Sequence, residues 1–165
     1  MLMGRSILGI LANGAMLLVV SMSLVSCAGQ RPLNLGVSDS GLAPCPSSPN
    51  CVSSDAHDSA HAIPPFQLEV SPAEAWPVVH EVVSGLPRVQ IVKATDVYLY
   101  AECKSRLMGF VDDLELHLRP AGDIIAIRSA SRVGHSDLGV NRRRVEDLRT
   151  VLISRGIIRN QRGLT

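Results

Sequence analysis

Two stretches in the middle of the chain alternate apolar and polar residues with a period of two. Val97, Leu99, Ala101 and Cys103 are interleaved with Tyr98, Tyr100, Glu102 and Lys104. Phe110, Leu114, Leu116 and Leu118 are interleaved with Val111, Asp113, Glu115, His117 and Arg119. Successive side chains of a strand point to opposite faces, so each stretch predicts a strand with one buried and one more polar face. Arg88 to Ala94 and Ile124 to Arg132 complete a set of four strand candidates. Thr95-Asp96 and Pro120-Ala121-Gly122-Asp123 are turn formers, which makes the set an antiparallel meander.

Pairing Arg119 with Ile124 across the Pro120 turn places His117 opposite Ala126, Glu115 opposite Arg128 and Val111 opposite Arg132. Asp113 then lies diagonally near both arginines, and the polar face carries a row of acids and bases. A slip of one residue would abolish the row.

The period changes to that of a helix on either side of the meander. Ser71-Pro72-Ala73-Glu74 reads as a capping box with proline at the first helical position. Ala75, Trp76, Val79, Val82, Val83 and Leu86 then share one face until Gly85 and Pro87 end the helix, and Pro77 is an interior proline that should kink it or delay its regular part. A second helix begins near Asp137 or Gly139 and runs to Arg155, with Val145, Leu148, Val151 and Leu152 facing inward and Gly156 as its stop. The expected fold class is α+β: a four-stranded antiparallel sheet with two helices packed on its apolar face.

Before the domain, Arg5 precedes an uncharged run from Ser6 to Ser26, the layout of a secretory signal. Leu24-Val25-Ser26-Cys27 resembles the lipobox of bacterial lipoproteins, in which the signal is cut ahead of the cysteine and the Cys27 thiol accepts diacylglycerol, with palmitate-type acyl chains holding the protein on a membrane. An uncleaved membrane helix is the alternative, because the run is just long enough to span a bilayer. Either reading puts the rest of the chain outside the cytoplasm, in the bacterial cell envelope facing the periplasm or exterior. The expected organisation is a signal at 1–26, a flexible tether at 27–41, one globular domain at 42–158 and a tail at 159–165.

Composition agrees with a single small domain: 165 residues, 46% hydrophobic, with only 3% aromatic, so aliphatic side chains fill the core. The net charge of +1 gives no global case for nucleic-acid or membrane-surface binding. The charge is unevenly spread, however, with acids predominating from Asp39 to Ile127 and nine arginines against Asp137, Glu146 and Asp147 thereafter. The two parts can neutralise each other within one fold.

Pro44-Cys45-Pro46-Ser47-Ser48-Pro49-Asn50-Cys51-Val52-Ser53-Ser54 is too rich in proline and serine for a helix or central strand. In an oxidising envelope Cys45 and Cys51 are expected to form a disulfide. The alternative is a zinc site that adds His57 and His61, although the cysteine spacing is wider than zinc fingers use, and no metal or other cofactor is expected. Cys103, in a strand pattern, reads as a small buried hydrophobe.

The densest chemistry lies in Arg128-Ser129-Ala130-Ser131-Arg132-Val133-Gly134-His135-Ser136-Asp137-Leu138-Gly139-Val140-Asn141-Arg142-Arg143-Arg144, which passes from strand through loop into helix. Cations at a helix N-terminus are disfavoured by about 0.3–1 kcal/mol each unless something negative is near. A bound phosphate or carboxylate would supply it; so would internal pairs of Arg142 and Arg143 with Glu146 and Asp147, or of the arginines with Asp112, Asp113 or Glu115. Arg128, Arg132, Asn141, Arg142 and Asp113 are therefore the candidate ligand-binding residues. Ser131 or Ser136 with His135 or His117 offers a hydrolase or transferase pair, but adjacent residues cannot make a triad and no nucleophile elbow occurs. Asp137 or Ser136 is the expected helix cap.

The cysteine loop, Gly109-Phe110-Val111-Asp112-Asp113 and the Arg128–Arg144 segment together resemble the bacterial and plastid family numbered 1499 among the domains of unknown function. The resemblance covers Leu42 to Leu152. It implies that the three motifs belong to one unit, and it brings no established chemistry. The expected function is a non-catalytic, lipid-anchored envelope domain that binds an anionic small molecule or an envelope protein. A purely structural role in assembly is the other non-catalytic possibility.

Overall fold

The computed structural model describes residues 28–160; the expected signal segment, the expected lipidation site Cys27 and residues 161–165 of the expected tail lie outside the described residues. Within it the elements follow in the order β1 (Val37–Ser38), β2 (Gly41–Leu42), β3 (Cys51–Ser53), β4 (Phe66–Gln67), α1 (Pro72–Ser84), β5 (Val89–Ala94), β6 (Tyr98–Lys104), β7 (Val111–Arg119), β8 (Ile124–Ser131) and α2 (Val140–Ser154). No described helix is long and apolar enough to cross a membrane.

The α+β class and the two helices are as expected, but the sheet is not four-stranded. It has six antiparallel strands, in the order β3-β8-β7-β6-β5, with β4 also paired to β8, and β1–β2 form a separate two-stranded sheet. The meander β5 to β8 was visible as alternation. Its outer neighbour on β8 is shared by two short strands, β3 alongside Arg128–Ala130 and β4 alongside Ile124–Ile125. Strands of two and three residues are too short to show a period. They exist because β8, buried on both faces, would otherwise leave a row of unpaired N–H and C=O groups on that side.

The register of the central pair is the one the turn predicted: Arg119 faces Ile124, His117 faces Ala126 and Glu115 faces Arg128. One face of the meander, with Leu99, Ala101, Leu114, Leu116, Ile125 and Ile127, packs against Val79, Val82 and Val83 of α1 and Val145, Leu148 and Leu152 of α2. Each large aliphatic side chain buried there is worth about 1.5–3 kcal/mol. The capping box at Ser71 and Glu74 is formed, and the helix continues through Pro77.

The other face is covered by the segment expected to be a tether. Arg31 hydrogen-bonds Glu102 at 3.0 Å with its guanidinium over the Tyr100 ring, Leu35 packs on Leu42, Tyr98, Tyr100 and Ala126, and Gly36 N–H donates to Glu115 at 2.8 Å. Gly41 turns the chain with φ +100°, where a side chain would meet the Asp55 carboxylate and Arg119. Residues 28–42 thus form a strap laid over the polar side of the sheet.

Candidate functional site

The sheet carries two polar systems, one on each face, and consecutive residues of β7 feed both. Asp113 and Glu115 point toward the strap, as strand alternation requires, while Asp112 points toward α2.

On the strap side Glu115 is fully buried and receives Arg128 at 3.0 Å, the Tyr98 hydroxyl at 2.7 Å and Gly36 N–H. Asp113 receives Arg132 at 2.7 Å and the Tyr100 hydroxyl at 2.7 Å. Arg132 also reaches Glu102 at 2.6 Å, which Arg31 approaches from the strap. Partial burial pushes the Glu102 carboxyl up, but the guanidinium groups of Arg132 and Arg31 overcome that and hold it at about 2. The tyrosine hydroxyls are raised by burial and by the carboxylates they donate to, so both stay protonated as donors. Arg128 Nε is the one buried side-chain nitrogen without a hydrogen-bond partner among the described residues. Three of the candidate binding residues, Arg128, Arg132 and Asp113, are therefore assembled together, and each is occupied by a neighbour within the fold.

On the helix side the hub is Asn141, fully buried in the first turn of α2. Its Oδ1 accepts from Ser129 and from Arg144, both at 2.6 Å, and its Nδ2 donates to Asn50 O at 3.0 Å and Ser131 Oγ at 2.9 Å. All four side-chain valences of the amide are used. Arg144 continues to Asp112 at 2.6 Å. Asn50 in turn donates to Gly134 O at 2.7 Å, so the cysteine loop, the Asp-Asp strand and the strand-to-helix segment are tied into one unit.

Asp137 accepts from Gly139 N–H and Asn141 N–H, which pulls its carboxyl down against the opposing effect of burial. The residue at the helix cap proper is Gly139, in the left-handed region with φ 75°.

The other arginines of the run do not meet Glu146 or Asp147. Arg142 donates to the carbonyls of Ala60 and Ala62, both at 3.0 Å, and Arg143 to that of Leu138 at 2.8 Å. Glu146 is taken by Arg149, which also binds Pro64 O and Pro65 O and stacks on Phe66. Helical spacing brings Glu146 within reach of two arginines, and the loop preceding β4 decides between them. Tyr98, Tyr100 and Glu102 belong to the assembly but were singled out only as the polar face of their strand; their pairing with β7 was the available signal.

Cys45 and Cys51 form a disulfide, with Cα atoms 5.6 Å apart. Their thiols are thus not zinc ligands, and His61 instead bonds Asp58 at 2.7 Å and Ser48 O at 3.1 Å. No group of three or more metal-ligating side chains occurs among the described residues. Ser131 Oγ is engaged by Asn141, and Ser136 Oγ accepts from Leu138 N–H. Burial, and after it the positive charge of the neighbouring Arg119, which donates to its ring, lowers the pKa of His117, and no described histidine hydrogen-bonds either serine. Cys103 is buried, and burial pushes its thiol up to about 11, which leaves it un-ionised at neutral pH.

Open space lies at the end of the sheet where the β6–β7 loop meets the start of α2. One cavity of about 300 Å³ is lined by Arg88, Cys103, Lys104, Val140, Arg143 and Arg144. A second, of about 280 Å³, shares Val140 and adds Phe110, Val133 and Ser136. Arg88, Lys104 and Arg143 form no ion pair among the described residues, in contrast to Arg128, Arg132 and Arg144.

Comparison with curated proteins found no match, and comparison with solved structures found none either. The family model described as "Protein of unknown function (DUF1499)" matches residues 41–152, a span that holds the disulfide loop, the sheet and helix residues of both polar systems and most of α2. The chain belongs to that family.

Proposed function

We propose that the protein is a non-catalytic, lipid-anchored envelope domain that binds an anionic group, at the cavity between β6 and the α2 N-terminus. In this reading the arginine row of the sheet is framework: Arg128, Arg132 and Asp113 hold the strap, and Asn141 holds the helix. Arg142 serves the fold likewise by fixing the carbonyls of Ala60 and Ala62.

The observation that carries the proposal is the trio Arg88, Lys104 and Arg143 around one cavity without carboxylate partners, Asp147 being the acid on its rim. The first turn of α2 adds the positive end of the helix dipole to the same place, so an anion there is favoured over water. Phosphate or carboxylate groups are the matching chemistry, and arginine forks suit both.

Thermal unfolding in the presence of inorganic phosphate, citrate or acetate tests this. The melting temperature is expected to rise with phosphate or citrate, and Lys104→Glu/Arg143→Glu is expected to remove the rise. Unchanged melting across the panel would overturn the proposal.

A further inference from the structure

The end of the molecule that holds the cavity also exposes apolar side chains. Ser105 and Phe110 close the β6–β7 loop by hydrogen bonds, which leaves Leu107 and Met108 at its tip, 91% and 61% exposed. Leu138, 84% exposed and in the left-handed region with φ 54°, stands on the neighbouring loop beside the exposed Val140. A small domain rarely gathers such residues on two adjacent loops without burying them against something. Arg88, Lys104 and Arg143 line the cavity at this end, Arg106 precedes Leu107 on its loop, and none of the four has an ion-pair partner among the described residues.

The path of the chain says what covers them. The strap does not leave the domain at a remote point: a Cβ on Gly29 would lie 2.8 Å from Arg132 Cβ and 2.9 Å from Val133 Cγ1. Val133 lines the same cavity as Phe110 and Val140. Cys27 is two residues further back, at most about 7 Å of extended chain. An acyl group on Cys27 therefore brings the bilayer to the end of the sheet bearing Leu107, Met108 and Leu138.

We propose that this end docks on the anionic phospholipid surface that holds the anchor, with Leu107, Met108 and Leu138 inserted at the headgroup level and the four cations against lipid phosphates. The inference rests on the lipid-anchor reading and identifies the anionic groups met at this end as those of the membrane. Apolar insertion and basic contacts add to the hold of the diacylglycerol anchor and fix which end of the domain meets the bilayer.

The test uses the full chain, lipidated in cells and reconstituted into vesicles of phosphatidylethanolamine and phosphatidylglycerol. Nitroxide labels are placed on Leu107→Cys, on Leu138→Cys and, in the turn at the opposite end of the sheet, on Ala121→Cys. Collision with oxygen reports the bilayer, and collision with a water-soluble nickel chelate reports solvent. The oxygen-to-nickel ratio is expected to be several-fold higher at 107 and 138 than at 121. It is expected to fall to the 121 level when Lys104→Glu, Arg106→Glu and Arg143→Glu are combined. Equal ratios at all three labels in a protein that floats with the vesicles would overturn the docking and spare the anchor. A protein that does not float with them would overturn both.

Discussion

Asn141 at the start of α2 donates to the backbone oxygen of Asn50 at 3.0 Å, across a sequence separation of 91 residues. Asn50 ends the disulfide loop and Asn141 stands in the first turn of the helix, so the bond between them closes the loop onto α2. Replacing Asn141 by alanine deletes four hydrogen bonds at a fully buried position and leaves the Ser129 hydroxyl without its acceptor and Ser131 Oγ without that donor. The expected cost is about 2–4 kcal/mol, since each buried polar group left unsatisfied costs about 1–3 kcal/mol. The urea midpoint of Asn141→Ala measures it, and a shift worth less than 1 kcal/mol would show that the network is replaceable by water.

Glu115 and Arg128 form the most deeply buried ion pair of the described residues. Removing one partner leaves the other charge in the interior, so Arg128→Met alone is expected to cost about 3–5 kcal/mol. Glu115→Leu combined with Arg128→Met removes both charges and is expected to regain most of that loss. A double-mutant cycle by equilibrium denaturation separates this from simple loss of packing, in which case the two losses would add.

The loop closed by Cys45 and Cys51 spans a sequence separation of only 6. Chain entropy gives so short a cross-link about 2 kcal/mol. Reduction is expected to lower stability by that amount without abolishing the fold, because Asn50 still holds the loop through Gly134 and Asn141. Unfolding curves with and without reductant read the difference directly.

Glu102 is held at about 2 in the folded chain against an ordinary 4.5. A depressed carboxylate contributes stability that is fully present above the unfolded value and is lost as pH falls through the folded one. Stability is therefore expected to decline between about pH 4.5 and pH 2, and Glu102→Gln to be less stable at neutral pH with a flatter decline. Thermal melts across that range in both proteins check the sign.

The meander, the register of β7 against β8 and both helices could be read from the sequence, because period, turn chemistry and capping are local signals. The strands β3 and β4 could not. Each is defined by the vacant side of β8 rather than by its own two or three residues. The strap was hidden for a related reason: Gly, Pro and Asn describe a chain without a core of its own, yet Gly36 docks through a backbone N–H that every residue has. At the candidate site, strand register correctly gathered Arg128, Arg132 and Asp113. What it did not reveal was that tyrosines and the strap would complete the shell around them. For Arg142 the spacing along one helix suggested acids at i,i+4, while the carbonyls of a distant loop took the side chain instead.

The strap also sets a length. Fourteen or so residues of free glycine-rich chain would let a domain wander about 20 Å from its point of attachment. With Arg31 on Glu102, Leu35 on the tyrosines and Gly36 on Glu115, that slack is wound in against the sheet. On the proposed anchor the domain would be moored close, with one fixed side turned toward the surface that carries it and the same opposite side always turned away.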